Sequence, residues 1–209
     1  MKFKFYAFKL SGIIILVFLA QLFIKGYKEF FVLNERALSG EIWRFLTAIF
    51  LHGGLAHLIL NLFALLLFGS ILESLIGGRK FLFVFFVSGI LANLVSVNFY
   101  PSSLGASGAI FGVIGVLIVI RPLMPVWAFG LPMPIFIAGI IWAAIDIFGA
   151  IGFFVGNPID NTGNIAHLSG MFFGFVFGAL FRKRRVRRSE RIVLDEPMIR
   201  RWEDSYVRR

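Results

Sequence analysis

The run Ala106-Ser107-Gly108-Ala109-Ile110-Phe111-Gly112-Val113-Ile114-Gly115-Val116-Leu117-Ile118-Val119-Ile120-Arg121 decides the fold. It carries one hydroxyl at its start and no other polar side chain until Arg121, which Pro122 follows. A helix on a soluble surface alternates apolar and polar faces; this one has no polar face, so it reads as a membrane span. Gly108, Gly112 and Gly115 recur at steps of four and three and share one face beside Ser107. Faces of this kind let helix backbones approach closely in a bilayer. Taken alone, they predict packing and nothing more.

Outward from this run, five more apolar stretches read as spans: Phe5–Phe23, Gly54–Leu75, Phe81–Phe99, Val126–Ile147 and Asn164–Phe181. With Ala106–Ile120 they predict an all-α membrane protein, a bundle of six transmembrane helices. The composition agrees. The chain has 209 residues, 59% of them hydrophobic, against about 45–50% for a soluble domain, and its mean hydropathy is +0.89. Residues 1–181 form the bundle in this reading, and 182–209 form a basic tail. Lys2, Lys4 and Lys9 precede the first apolar run as they do in a signal peptide, but no small-residue cleavage site follows, so a retained helix is expected. The tail holds 11 of the 21 Lys and Arg residues and 5 of the 11 acids. It reads as a cationic stop touching anionic lipid, not as a nucleic-acid-binding segment.

Six spans put both termini on one side, together with Arg79, Lys80, Arg121 and the tail. The other side carries Lys25, Lys28, Arg36 and Arg44, partly offset by Glu29, Glu35 and Glu41. The positive-inside rule therefore predicts cytoplasmic termini in a multi-pass protein of the cell membrane, a prokaryotic plasma membrane in the simplest case.

Polar side chains inside spans are costly, and they are either functional or packed between helices. Here they are one-sided. His52, His57, Asn61, Ser107, Asn164 and His167 all fall near outer helix ends. Ser107 lies 14 residues before Arg121, and His167 lies 15 before Arg182. At about 1.5 Å per residue both stand roughly 21–23 Å above the cytoplasmic boundary. That leaves them about 7–9 Å below the outer surface of a core roughly 30 Å thick. His167 shares a helix face with Gly170, Gly174 and Gly178. A hydroxyl and an imidazole at one depth, beside two small-residue faces, suit nucleophilic catalysis: the imidazole takes the serine proton and the alkoxide attacks a carbonyl. His57 and Asn61 lie one turn apart, and the series continues four by four through Leu65, Gly69 and Glu73. The pair reads either as donors to a developing oxyanion, joined by the Ser107 backbone N–H, or as polar groups bonded to a neighbouring helix.

Four motifs in this order resemble the rhomboid family of intramembrane serine proteases: Trp43-Arg44, His57…Asn61, Gly105-Ala106-Ser107-Gly108, and Ala166-His167…Gly170…Gly174. A lone GxSG is weak; four motifs on the right spans are specific. The resemblance covers roughly Glu41 to Phe181 and looks like the minimal six-helix form. It implies a serine endopeptidase acting on the transmembrane segments of single-span membrane proteins near the outer face. It implies a Ser107–His167 dyad without a third acid. It also implies an oxyanion site from His57, Asn61 and the Ser107 amide, in the Gly105 loop, and a water-filled cavity open to the outside. Trp43-Arg44 would be structural, in a loop lying against the membrane. Many members carry Tyr four residues after the serine, packed on the catalytic imidazole; here Phe111 supplies the ring without the hydroxyl. Catalytically dead relatives lack the Ser or the His, and this chain keeps both.

Rival chemistries fare worse. A zinc protease needs a ligand set such as HExxH, and none of the three histidines is followed by Glu. The deep acids Asp146 and Glu73 lie toward different sides, which disfavours zinc, and a di-aspartate site lacks a second intramembrane Asp, because Asp160 reads with Asn161 as loop. The absence of cysteine excludes a thiolate nucleophile. No cofactor and no metal are expected. A transporter would need an inverted repeat and a polar path through the inner half, and neither is visible. A non-catalytic binder of transmembrane segments is the remaining alternative.

Overall fold

The computed structural model describes residues 4–156, 163–185 and 196–207. The expected features on 157–162, 186–195 and the chain ends, including Asp160, Asn161 and most of the basic tail, lie outside the described residues. Five helical segments are long and apolar enough to cross a membrane by length and composition. They are Tyr6–Phe23 (α1), Leu55–Ile76, Gly78–Ser96 (α6), Ile135–Phe154 (α8) and the apolar part of Asn164–Arg185 (α9). A sixth, Ser107–Ile120 (α7), is shorter. Short helices Tyr27–Phe31 (α2) and Arg44–Thr47 (α3) fill the connection between the first two rods, and Glu196–Tyr206 (α10) is helical in the tail.

The molecule is apolar outside and polar at selected points within. Leu16, Phe23, Leu60, Phe63, Ile140 and Phe148 stand exposed on the helix faces, whereas Arg44, Asn61, Glu73, Asp146 and His167 are buried. That inversion belongs to a multi-pass membrane protein, whose solvent is as apolar as its core. The short α7 is the central helix, since nine of its fourteen residues are buried. Being enclosed by other helices, it need not match the full lipid thickness.

The second rod is continuous but irregular. An α-helix over Leu55–Ala64 (α4) passes through a π turn, Leu65–Gly69, into Ser70–Ile76 (α5). At its end the buried Glu73 reaches α1. One carboxylate oxygen accepts from Lys4 N (3.1 Å) and the other from Ala7 N (3.2 Å). No side-chain hydrogen bond from its own N-cap residue, Phe5, closes the start of α1, so Glu73 satisfies donors that a helix start leaves open.

Five of the six expected spans agree with the observed helices to within about one turn. The fifth does not. Residues 125–134, expected to begin the span at Val126, instead form a β-hairpin, Pro125–Ala128 (β3) paired antiparallel with Leu131–Pro134 (β4). Phe129 and Gly130 both take positive φ, 54° and 77°, as a two-residue hairpin turn of the favoured hand requires. Pro132 and Pro134 cannot donate to a helix ladder. The backbone then closes on the hairpin's base: Ile135 N donates to Met124 O (2.9 Å) and Phe136 N to Pro122 O (3.2 Å). The span therefore begins at Ile135 and runs on to Phe154.

The segment before α7 is tied to the first connection. Leu33–Asn34 (β1) pairs antiparallel with Ser102–Ser103 (β2), and Gly105 N donates to Ala48 O (2.9 Å). Ser107 is thus presented from a loop fixed on both sides.

Candidate active site

The site forms where α7 meets α9. A Cβ added to Gly170 would strike Gly108 O, one on Gly174 would strike Gly112 O, and one on Gly115 would come within 2.5 Å of Met171 O. The two helices touch backbone to backbone in a register that advances four residues on each. This register sets Ser107 beside Gly108, and His167 beside Ala166, whose carbonyl oxygen lies 3.5 Å from the Cβ position of Gly108. The glycines the sequence marks as packing do pack, and they bring the helix that carries Ser107 against the helix that carries His167.

Ser107 is half-buried at the first position of α7, so its N–H has no intrahelical partner. Its hydroxyl makes no hydrogen bond among the described residues. His167 is buried, and its ring lies between two groups. On one face is Phe111, with ring centroids 4.4 Å apart and planes 5° from parallel. At its edge is Asp146 of α8, whose Oδ1 stands 3.0 Å from His167 Nδ1. The family resemblance implies a dyad without a third acid; the structure places a buried carboxylate on the imidazole. The reading weighed Asp146 only as a metal ligand or a member of an aspartate pair. The signal that finds it is general: an ionisable side chain inside a span calls for a named partner.

His57, half-buried on α4, faces the Gly105 loop. Its Nδ1 accepts from Gly53 N (3.3 Å), so in the neutral ring Nε2 carries the proton. That edge lies against Gly105, whose φ is +121°. A Cβ there would fall 2.9 Å from His57 Nε2 and 3.7 Å from Ser107 Oγ. Gly105 is therefore required twice, by backbone conformation and by the approach of the imidazole. Asn61 is buried one turn further. Its Nδ2 donates to His57 O (2.8 Å), and its Oδ1 has no partner among the described residues. The expected donor is thus partly committed to its own helix.

Gln21, which the sequence does not single out, and His52, which it marks only as a polar group near an outer helix end, hold this corner. Gln21 of α1 accepts from His52 N and donates to His52 O, each at 3.0 Å. His52, buried in the connection before α4, sets its ring 5.0 Å from that of His57, tilted by 60°. Burial first, then the neighbouring His57, lowers its pKa to about 4, so this ring stays neutral. Among the described residues no three His, Asp or Glu side chains converge as metal ligands would.

Trp43 and Arg44 lie apart from this cluster. Arg44 is fully buried and donates to Glu29 O (2.9 Å), Val32 O (2.7 Å) and the Glu41 carboxylate. Trp43 is partly exposed and stacks on Phe30, 5.8 Å between centroids. The pair closes the connection between the first two rods.

Comparison with known proteins agrees with this arrangement. The family model for the Rhomboid domain matches residues 39–184, which takes in the site and every helix from α3 to α9. The chain belongs to the rhomboid family. It is 40% identical over 153 residues to rhomboid protease GluP of Bacillus subtilis, covering 71% of this chain and 27% of that protein. It is 42% identical over 86 residues to the putative rhomboid protease YdcA of the same organism, 40% of this chain and 43% of that one. It is also 39% identical over 80 residues to inactive RHOMBOID-like protein 8 of Arabidopsis thaliana, 37% of this chain and 23% of that one. The chain spans less than half the length of each of these relatives, and one of the three is named as inactive. Family membership alone therefore does not decide activity.

Proposed function

We propose that the chain is an intramembrane serine endopeptidase that cleaves transmembrane segments of single-span membrane proteins near the outer face. Ser107 is the nucleophile and His167 the general base. The observation that carries the reading is the glycine-lined contact of α7 with α9. It packs the helix that starts at the half-buried Ser107 against the helix that carries an imidazole whose Nδ1 is already engaged, which supports Nε2 as the acceptor.

In the proposed reaction His167 Nε2 takes the Ser107 proton, and Ser107 Oγ attacks the scissile carbonyl. The oxyanion that forms is met by the Ser107 N–H and by His57 Nε2–H, with the Asn61 amide in support. Collapse breaks the C–N bond, and His167 returns the proton to the leaving amine. Water, activated by the same imidazole, then hydrolyses the acyl-enzyme. No cofactor or metal takes part. Residues 1–181 form the catalytic bundle of six spans, counting the enclosed α7. Residues 182–209 form a cytoplasmic tail, both termini face the cytoplasm, and the protein resides in a prokaryotic plasma membrane. Trp43, Arg44, Gly170 and Gly174 are structural.

The test is co-expression with a panel of single-span proteins, comparing wild type with Ser107→Ala, beside labelling by a fluorophosphonate probe. Cleavage and labelling are expected in wild type and neither in the variant. Product ends, mapped by mass spectrometry, should fall near the outer end of the substrate span, after a small residue. Turnover that survives Ser107→Ala removes the serine from the mechanism. Cuts at mid-membrane or on the cytoplasmic side overturn the topology.

A further inference from the structure

An imidazole can serve Ser107 through only one nitrogen, so its ring must be fixed in two respects. Its plane must be set, and so must the choice between two orientations related by a half-turn about the Cβ–Cγ bond. The stacked Phe111 sets the plane. It does not set the half-turn, because a flat ring face is indifferent to whether nitrogen or carbon lies at a given edge. Only a directional polar partner in the ring plane makes that choice. Asp146 Oδ1, 3.0 Å from His167 Nδ1, is such a partner.

We infer that Asp146 is the positioning residue of the catalytic base, so that the site works as Ser107–His167–Asp146 on three helices, α7, α9 and α8. The inference rests on the serine-protease reading above. The carboxylate accepts from Nδ1–H, which fixes the tautomer and leaves the Nε2 lone pair for the Ser107 proton. As Nε2 gains that proton the ring becomes an imidazolium, and a fixed negative charge beside it stabilises the new positive charge. No proton passes to Asp146; the Nδ1 proton stays on the ring throughout.

The rival account is an inter-helix hydrogen bond that only packs α8 against α9. Two observations weigh against it. Asp146 and His167 are 4% and 9% exposed, so this is a carboxylate taken out of water to meet a single ring nitrogen. Its second oxygen, Oδ2, is buried with no partner among the described residues. A contact selected for packing would satisfy both oxygens or use an uncharged group; a half-satisfied buried carboxylate costs stability and signals another role.

The first measurement needs no variant of Asp146. Nitrogen-15 spectra of the histidine-labelled full chain in detergent report the tautomer, and with three histidines in the chain the His167 signals are assigned by their loss in His167→Gln. Protonated Nδ1 with bare Nε2 is expected at neutral pH; a protonated Nε2 in the neutral ring overturns the inference. The second uses Asp146→Asn, whose amide also permits the opposite tautomer. The rate of fluorophosphonate labelling, and kcat on a single-span substrate found in the panel, should fall by on the order of 10²-fold or more. KM should hold, and Asp146→Glu should recover part of the loss. Wild-type labelling and an unchanged tautomer in Asp146→Asn, with Ser107→Ala inert, would reduce Asp146 to packing and leave the protease reading standing. Cleavage by Ser107→Ala would remove that reading, and this inference with it.

Discussion

Phe111 lies flat on His167, their ring centres 4.4 Å apart and their planes nearly parallel. The same residue edges Trp142 of α8 at 6.5 Å, and Trp142 in turn meets Phe68 and Phe129. The imidazole is thus backed by an aromatic wall that reaches the hairpin. Phe111→Ala should free the ring to tilt. Such a stack is worth roughly 0.5–1.5 kcal/mol, so kcat should fall by up to about tenfold. Phe111→Tyr keeps the ring and should keep the rate. Turnover assays in proteoliposomes compare the two; a Phe111→Ala rate equal to wild type would show that Asp146 and the helix contact suffice.

His57 and Asn61 should not contribute equally. His57 presents its Nε2 edge toward the Gly105 loop, whereas the Asn61 amide already donates to His57 O. Loss of a single oxyanion donor typically costs about 10²–10³ in rate. His57→Ala should approach that range and Asn61→Ala should fall short of it, with probe attachment surviving in both. Steady-state kcat measures the difference. If neither change, nor the two together, slows cleavage, both residues are packing groups.

The α7–α9 seam should tolerate no side chain. Gly174→Ala would drive a methyl group into Gly112 O, and Gly115→Val a branched one into Met171 O. Overpacking of a close contact costs about 1–3 kcal/mol, so both variants should unfold at lower temperature and lose activity. Gly12→Ala on α1 is the control. Nothing lies within 4 Å of its Cβ position, and helical Ala is favoured over Gly by roughly 0.5–1 kcal/mol. Thermal unfolding in detergent ranks the three.

Glu73 predicts the opposite split. It lies at the far end of the second rod from His57 and holds the start of α1. Glu73→Ala leaves buried backbone N–H groups unpaired, at about 1–3 kcal/mol. The thermal midpoint should drop, while the probe-labelling rate of the folded fraction stays at the wild-type value. A labelling rate that falls in step with Ser107 variants would place Glu73 in the site.

Much of this architecture is legible in the residues themselves. The helix expected from Ala106 to Ile120 is readable because its hydropathy is unbroken and Arg121-Pro122 end it. The contact of the two helices that carry Ser107 and His167 is foreshadowed by their small-residue faces. The hairpin at 125–134 is not readable by hydropathy, because an apolar strand and an apolar helix look alike to it. The clue is local: three prolines, and Phe129-Gly130 at a two-residue turn. The Asp146 contact depends on that error. Only when the fifth span is moved on to Ile135–Phe154 does its acid fall inside the helix instead of at its end. The contact of Gln21 with His52 escapes for another reason. Their contacts cross 31 residues of chain, and no spacing rule within one helix reports them.

The π turn at Leu65–Gly69 has a consequence for how the second rod keeps its two ends aligned. Asn61, Leu65, Gly69 and Glu73 are all buried, although they follow one another at intervals of four. In a regular α-helix each such step drifts by about 40°, so His57 and Glu73 would end on nearly opposite sides, about 160° apart. A turn closed by i→i+5 bonds takes one residue more and winds the phase back by roughly 100°. The polar end that faces Ser107 and the acid that holds α1 therefore look into the same core because of a residue count, not because of any side chain. Deleting a single apolar residue from Leu65–Gly69 would keep every polar group in the chain and still rotate His57 and Asn61 away from the site.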